Sequence, residues 1–310
     1  MPGSIWLDGR LLPAGGPHLA VTDRGFQLGD GVFETARARR GVVIELEEHL
    51  ERFHESAAVT ALPLPGDDTA LVRGIGELLA AEGLAGDGAD GRPPGDAAIR
   101  ITASRGSLER RGLLPQGWEA TAAAIAVQVW PYAPPPLRLL DAGVRAISSA
   151  VRRDPASPLA GVKSTSRADY VYAKLEAERA GADDALFLTL DGAVSEGTTA
   201  NVFAVVGDRL LTPPLEAAIL AGTTRTWLLE HAASLGLRAE TRRLLPDELV
   251  AADEAFLSSS VAGVIPLVAL DGRPIGTGRP GPWSVGIREA RERWIDAVSL
   301  RATPVPGSRP

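Results

Sequence analysis

The stretch Leu-Ala-Gly-Val-Lys-Ser-Thr-Ser-Arg, residues 159–167, contains Lys163, one of two lysines in a chain of 310 residues. The other lysine is Lys174, so 30 of the 32 basic residues are arginines. Arginine keeps its proton wherever a fixed cation is needed, whereas a reactive primary amine requires lysine. Lys163 lies between a predicted strand and a predicted helix, where a side chain can face a cavity. Lys174 lies within a predicted helix beside glutamates, as surface cations do. The pattern indicates that Lys163 is a candidate for amine chemistry.

Composition excludes several classes of function. With 39 acidic residues and a net charge of −7, nothing in the sequence indicates binding to nucleic acid or to an anionic membrane surface. The absence of cysteine excludes disulfides, thiolate zinc sites and cysteine nucleophiles. The four histidines are scattered, and we expect no metal site. The start lacks the features of a signal peptide, and the longest apolar run, residues 122–129, is too short to span a bilayer. We expect a soluble, cytoplasmic protein.

The length suggests two domains, because single cores rarely grow far beyond about 250 residues. Antiparallel hairpins and amphipathic helices are predicted in both halves, which indicates an α+β fold. The proline-rich residues 130–136 predict an interdomain linker. We therefore predict a small N-terminal α/β domain at 1–129, a larger C-terminal domain at 137–302 and a disordered tail at 303–310.

Three further motifs carry groups that suit a phosphate-bearing cofactor. Glu196 is the carboxylate of a Ser-Glu-Gly segment, and residues 222–224, Gly-Thr-Thr, open a predicted helix whose N-terminal amides can bind phosphate. Hydroxyls at 258–260 and the guanidinium of Arg52 can add to such a site. Each signal has an ordinary structural explanation, such as a helix cap. Together with Lys163 they specify an aldehyde-trapping amine, a carboxylate and a phosphate clamp, which are the groups that pyridoxal phosphate requires.

The order of these motifs resembles a known family. Five segments carry the resemblance: Asp-Arg-Gly-Phe-Gln-Leu-Gly-Asp-Gly-Val-Phe-Glu-Thr at 23–35, His-Leu-Glu-Arg at 49–52, Gly-Val-Lys at 161–163, Ser-Glu-Gly at 195–197 and Ala-Gly-Thr-Thr-Arg at 221–225. In order and spacing they resemble the class IV aminotransferases, pyridoxal 5′-phosphate enzymes of fold type IV. The resemblance implies a small α/β domain, a larger cofactor-binding domain with a barrel-like antiparallel sheet, and a homodimer whose active site lies near the subunit interface.

The resemblance also implies a role for individual residues. Lys163 would hold the cofactor as a Schiff base and move protons at the substrate Cα, and Glu196 would keep the pyridine nitrogen protonated. Thr35 is implied as a second catalytic residue through its hydroxyl, which assists proton transfer during pyruvate release in the lyase members of the family. The remaining implied cofactor contacts are Arg52, Asn201, Gly222, Thr223, Thr224 and Ser260. The implied substrate contacts are Phe33, Thr35, Arg110, Arg111, Val261 and Ala262.

Four functions remain open within this family. The arginine-rich loop at 105–112 resembles the carboxylate-binding loop of D-amino acid aminotransferases, although Gly112 stands where those enzymes have histidine. It favours ping-pong transfer of an amino group between a D-amino acid, or an R-configured primary amine, and a 2-oxo acid. Thr35 and Arg167 instead resemble aminodeoxychorismate lyases, which form 4-aminobenzoate and pyruvate. A branched-chain L-amino acid aminotransferase is less favoured, because Leu28 replaces a tyrosine of those enzymes. The fourth is a catalytically inert homologue.

Overall fold

The computed structural model describes residues 2–86, 95–108, 112–114, 117–120 and 122–308. By their contacts the residues form two units. The first unit consists of Met1–Ala133, Val162–Ser166 and Trp294–Pro310, and the second consists of Pro134–Gly161 and Arg167–Arg293. Lys163 therefore belongs to the first unit, although both neighbouring stretches of chain belong to the second.

The first unit contains an antiparallel sheet of six strands, in the order β2-β1-β6-β5-β3-β4. The predicted hairpin at Asp8-Gly9 joins β1 to β2, and both turn residues have positive φ. The elements are β1 (Ser4–Leu7), β2 (Arg10–Pro13), α1 (Arg24–Leu28), β3 (Gly31–Arg39), β4 (Val42–Val43), α2 (Leu46–Val59), α3 (Thr69–Ala81), β5 (Asp96–Ser104), a 3₁₀ turn (Trp118–Ala120) and β6 (Ala124–Pro131).

Residue alternation gives the first sheet two different faces. In β5, Ala97, Ile99 and Ile101 are fully buried, whereas the residues between them are partly exposed. The buried side chains share a core with those of α2 and α3. Because successive side chains of a strand point to opposite faces, the residues between them form a second, more open face.

The second unit is built on a sheet of nine strands. Eight follow the order β12-β11-β10-β13-β14-β7-β8-β9, and β15 pairs with β14. The elements are α4 (Leu137–Asp141), β7 (Val144–Arg153), α5 (Ala168–Arg179), β8 (Asp184–Thr189), β9 (Val194–Gly197), β10 (Asn201–Val206), β11 (Arg209–Thr212), a 3₁₀ turn (Leu215–Ala217), α6 (Thr223–His231), a 3₁₀ turn (Ala232–Leu235), β12 (Arg238–Thr241), α7 (Pro246–Val250), β13 (Glu254–Ser259), β14 (Gly263–Leu270), β15 (Arg273–Pro274) and α8 (Pro282–Arg301). By contacts, the last turns of α8 belong to the first unit.

The second sheet is mixed, which corrects the expectation of an antiparallel sheet. The pairs β7–β8, β7–β14 and β11–β12 are parallel, and the other pairs are antiparallel. Parallel neighbours need a crossover connection, and α5 lies in the connection between β7 and β8. The helix predicted at this place thus belongs to a crossover connection that allows the two strands to run in the same direction.

The C-terminal residues differ from the predicted disordered tail. Val305 is buried in the core of the first unit, and its N–H donates to the carbonyl of Gly41 at 2.9 Å. Ser308 is also buried, and its hydroxyl donates to the carbonyl of Val305 at 2.7 Å. Prolines and small polar residues predicted disorder here, but a single apolar side chain and a turn dock the segment.

Among the helices of the described residues, none combines the length and the apolar character that crossing a bilayer requires. The 20-residue α8 is long enough but carries several charged side chains, such as Arg288, Glu289 and Arg291.

Candidate active site

The segment around Lys163 is held along the edge of β3. The N–H of Phe33 donates to the carbonyl of Lys163, and the N–H of Thr165 donates to the carbonyl of Gly31, both at 2.9 Å. The N–H of Lys163 donates to the hydroxyl of Ser56 on α2 at 3.2 Å. Val32 and Ser164 form an antiparallel bridge, so Phe33 and Lys163 are the next pair in the same register. Their side chains therefore share a face of the sheet. Backbone pairing thus fixes the position of the lysine.

The open face of the first sheet brings the amine of Lys163 together with an aromatic ring and a guanidinium. The Nζ of Lys163 lies 4.8 Å from the ring centre of Phe33, and the Cζ of Arg100 lies 3.4 Å from the same centre. Thr35 on β3 is the register partner of Arg100 on β5, so their side chains share this face. The sequence interpretation included Phe33 and Thr35 but missed Arg100, which the alternation of β5 could have placed on the polar face.

Arg52 is held on the helix side of the same sheet. Its Nε donates to Glu34 Oε1 at 2.8 Å and its second terminal nitrogen donates to Glu34 Oε2 at 2.6 Å. His49 Nδ1 lies 2.7 Å from Glu34 Oε2, and all three side chains are buried. Burial alone raises the pKa of Glu34, but hydrogen bonds from Arg52 and His49 outweigh it and lower the pKa to about 2. The structure therefore places Arg52 in a carboxylate clamp, and its contact with phosphate stays a prediction.

Glu196, in the second unit, is a buried carboxylate with several polar neighbours. Its Oε2 accepts a hydrogen bond from the N–H of Leu220 at 2.9 Å, and its Oε1 accepts one from the hydroxyl of Tyr170 at 3.3 Å. A guanidinium nitrogen of Arg153 lies 3.9 Å from Oε1. Hydrogen-bond donors and a nearby cation both favour a charged carboxylate. These contacts suit a carboxylate that faces a protonated ring nitrogen, and this role of Glu196 stays a prediction.

Hydroxyl groups collect at the start of α6 in the second unit. The hydroxyls of Thr223 and Ser260 lie 3.1 Å apart. The buried hydroxyls of Thr224 and Ser258 have no hydrogen-bond partner within the described part of the chain. Gly222 caps the helix without a side-chain bond, which leaves its first amides available. Buried donors without partners are costly unless a ligand satisfies them, and free helix amides favour an anion. These groups fit the phosphate of pyridoxal phosphate.

Asn201 explains why Gly222 has no side chain. The amide nitrogen of Asn201 donates to the carbonyl of Leu220 at 2.9 Å, and its Oδ1 occupies the place that a Cβ on residue 222 would take. Val261 and Ala262 lie in the half-buried turn between β13 and β14, next to Ser260. Their predicted substrate contact, like the predicted cofactor contact of Asn201, stays a prediction.

Two predicted substrate residues, Arg110 and Arg111, lie outside the described residues. The placed candidates divide between the units. Lys163, Phe33, Thr35 and Arg52 are in the first, and the other placed residues are in the second.

Comparison with known proteins identifies the family. The model described as "Amino-transferase class IV" matches residues 31–270, more than half of the chain. The chain belongs to the class IV aminotransferases. A protein from Methanocaldococcus jannaschii named "Putative branched-chain-amino-acid aminotransferase" is 33% identical over 94% of this chain and 97% of its own length. A "D-alanine aminotransferase" from Bacillus licheniformis is 31% identical over 94% and 96%, respectively.

Two further comparisons bear on this class IV aminotransferase. An "Aminodeoxychorismate lyase" from Bacillus subtilis is 29% identical over 86% of each chain. The solved branched-chain amino acid aminotransferase of Thermobaculum terrenum, in its PLP form, superposes with a TM-score of 0.82 at 25% identity, over 97% of this chain and 96% of that one. These matches confirm the predicted family and fold type IV.

Its cofactor is pyridoxal 5′-phosphate, as the sequence predicted. When bound, the cofactor supplies an aldehyde for an amine and a ring that draws electrons from the substrate. The amine of Lys163, the carboxylate of Glu196 and the hydroxyl groups at 222–224 and 258–260 have the chemistry to hold it, and their contacts with it stay predictions.

Proposed function

We propose that this aminotransferase moves an amino group between an α-amino acid, with preference for the D enantiomer, and a 2-oxo acid. The observation that carries the substrate class is Arg100, whose guanidinium lies on the same phenylalanine ring as the amine of Lys163. A fixed cation beside the reacting amine suits a substrate that carries a carboxylate. The arginine-rich loop at 105–112 and the relative named D-alanine aminotransferase support the D preference.

The roles of the chain's own residues follow from this placement. Arg100 binds the substrate carboxylate, and the ring of Phe33 packs against the guanidinium that makes this contact. In the half-reaction of the amino acid, the amine of Lys163 takes the proton from the substrate Cα. In the half-reaction of the 2-oxo acid, it gives a proton to the corresponding carbon. Glu196 holds the proton on the cofactor's ring nitrogen.

A panel of single half-reactions tests the proposal. The holoenzyme is mixed with D-alanine, D-glutamate, L-leucine or R-phenylethylamine, and the cofactor absorbance is followed. D-amino acids should convert the cofactor fastest. Faster conversion by L-leucine than by either D-amino acid would contradict the D preference and favour the branched-chain alternative. Conversion by none of them would contradict the aminotransferase proposal.

Replacing Arg100 tests the carboxylate contact. Arg100→Gln should lower kcat/KM for α-amino acids between about tenfold and a hundredfold, the range expected for a charge-assisted hydrogen bond. R-phenylethylamine, which lacks a carboxylate, should react at an unchanged rate. Arg73→Gln is the matched control, because Arg73 is an exposed arginine on α3. If Arg110→Ala and Arg111→Ala show the selective loss and Arg100→Gln does not, the carboxylate contact belongs to the loop.

An aminodeoxychorismate lyase is the second candidate, because Thr35 shares the sheet face of Lys163 and Arg100. A hydroxyl at that place can pass a proton to the methylene carbon of the departing enolpyruvyl group, which then leaves as pyruvate. If the chain is such a lyase, aminodeoxychorismate should yield 4-aminobenzoate and pyruvate, and Thr35→Val should remove that reaction while sparing amino-group transfer. Failure to form 4-aminobenzoate would dismiss this candidate.

The homodimer implied by the family resemblance has a candidate interface in the first unit. Leu19, Val21, Phe26 and Leu28 expose between 46% and 75% of their surface within about ten residues of chain. Clustered exposed apolar side chains mark surfaces that another protein covers. We propose that a second copy covers them. Phe26→Asp should shift sedimentation towards monomer, whereas Leu300→Asp, at an exposed leucine near the end of α8, should leave the dimer intact.

A further inference from the structure

Tyr170 on α5 lies between a guanidinium and the carboxylate of Glu196. The Cζ of Arg167 lies 3.1 Å from the centre of the Tyr170 ring, and the ring of Phe187 meets it edge-on at 5.0 Å. The hydroxyl of Tyr170 donates to Glu196 Oε1 at 3.3 Å. The ring is therefore held in place by its neighbours while its hydroxyl is directed at the carboxylate.

The same neighbours control the charge of the phenol. Burial raises the pKa of Tyr170, and the carboxylate of Glu196 raises it further, whereas Arg153 and Arg167 act in the opposite direction. Arg153 comes from β7, and its Cζ lies 5.2 Å from the ring centre. The phenol thus stays protonated and remains a donor to Glu196.

We propose that Tyr170 is a positioning residue for Glu196: its hydroxyl orients the carboxylate and favours its charged form, while Arg167 and Phe187 fix the ring. This inference rests on the proposed function, in which Glu196 faces the ring nitrogen of the cofactor. In this proposal, Tyr170 makes no direct contact with substrate or cofactor. Its effect on catalysis passes through Glu196.

A tyrosine titration tests the arrangement without turnover. The chain has three tyrosines, Tyr132, Tyr170 and Tyr172, so the absorbance of tyrosinate in the full chain minus that in Tyr170→Phe isolates Tyr170. In Glu196→Gln the carboxylate charge is gone, and the Tyr170 midpoint should fall by about one pH unit. An unchanged midpoint in folded Glu196→Gln would overturn the proposal. Tyr170 is present in both proteins that are compared, the wild type and Glu196→Gln. If Tyr170→Phe fails to fold, Tyr170→His serves as the blank that is subtracted.

Kinetics test the consequence. In Tyr170→Phe holoenzyme, kcat should fall up to about tenfold with KM unchanged, and the acid limb of the kcat profile should move to higher pH by about one unit, because the carboxylate loses a donor to its charged form. Tyr172→Phe, an exposed tyrosine on the same helix, should change neither quantity. A fall in kcat without movement of the acid limb would indicate a structural role only and overturn the proposal.

The two proposals fail in different ways. If the Tyr170 midpoint falls in Glu196→Gln but the enzyme converts no α-amino acid, the proposed function is contradicted and the contact between Tyr170 and Glu196 is supported. If the enzyme transfers amino groups but the Tyr170 midpoint is unchanged in Glu196→Gln, the role of Tyr170 is contradicted.

Discussion

Glu34→Gln should strongly destabilise the first unit. Glu34 is fully buried, and its carboxylate accepts hydrogen bonds from Arg52. The ordinary value of 4.5 and the folded pKa of about 2 differ by about 2.5 pH units. At about 1.4 kcal/mol per unit, ionisation of Glu34 contributes about 3 kcal/mol to the free energy of unfolding at neutral pH. Breaking a buried ion pair by removing one partner costs about the same, about 3–5 kcal/mol, because the remaining charge is left uncompensated.

The pH dependence of this loss has a definite sign. The folded pKa of Glu34 is depressed, so its contribution is fully present above about pH 4.5 and is lost as the pH falls towards 2. Urea titrations followed by tryptophan fluorescence, at several values between about pH 7 and pH 3, would give the free energy of unfolding of both proteins. The difference between wild type and Glu34→Gln should be largest at neutral pH and should shrink as the solution becomes more acidic.

Glu51→Gln is the matched control for this experiment, because Glu51 is an exposed glutamate on the same helix as Arg52. It should change the free energy of unfolding by less than about 0.5 kcal/mol. If Glu34→Gln costs less than about 1 kcal/mol at neutral pH, or if its cost is the same at about pH 3 as at neutral pH, the ion-pair explanation of the cluster is wrong.

Three further perturbations have expected outcomes. Lys163→Ala should abolish multiple turnover, because no other amine is held at the site within the described residues. The variant should still bind pyridoxal phosphate through the hydroxyl groups and amides at 222–224. Sustained turnover would contradict the assignment of Lys163 as the reacting amine. Thr224→Ala should weaken cofactor binding about fivefold to tenfold, the effect of one hydrogen bond, in an equilibrium titration of the apoenzyme. Thr226→Ala, at an exposed threonine of the same helix, should bind normally, and equal losses would contradict a phosphate site at 222–224. Val305→Ala should lower the free energy of unfolding by about 1–2 kcal/mol, and no loss by thermal or urea denaturation would contradict docking of the C-terminal segment.

Much of the fold was predictable because local patterns agree with the final structure. The alternation at 31–39 predicted β3, and a strand was also predicted at 97–104, where β5 lies. The helical spacing of Leu46, Leu50, Phe53 and Ala57 predicted α2. The candidate cofactor residues could be proposed for another reason, since amine, carboxylate and hydroxyl chemistry is visible in residue type, and their contacts with the cofactor stay predictions. The family itself was confirmed by the comparisons.

The parts that were missed depend on pairing between distant segments. Nothing local in residues 162–166 reveals that they line the edge of β3, because that position is set by hydrogen bonds to Gly31 and Phe33. The ion pair between Glu34 and Arg52 joins a strand to a helix through side chains, and the sequence interpretation weighed phosphate binding against an ordinary helix-surface role for Arg52 without foreseeing this pair. Arg100 was missed because one arginine among thirty carries little signal until its strand face is known.

The docked C-terminal segment has a practical consequence for handling the protein. Gly76 on α3 has no Cβ, and the carbonyl of Pro306 occupies the space that a Cβ would take. Ser308, two residues before the last residue of the chain, is still buried. An affinity tag fused after residue 310 would be attached next to a segment that packs against α3, and it could disturb that packing. An N-terminal tag, ahead of β1, is therefore the better choice for purification.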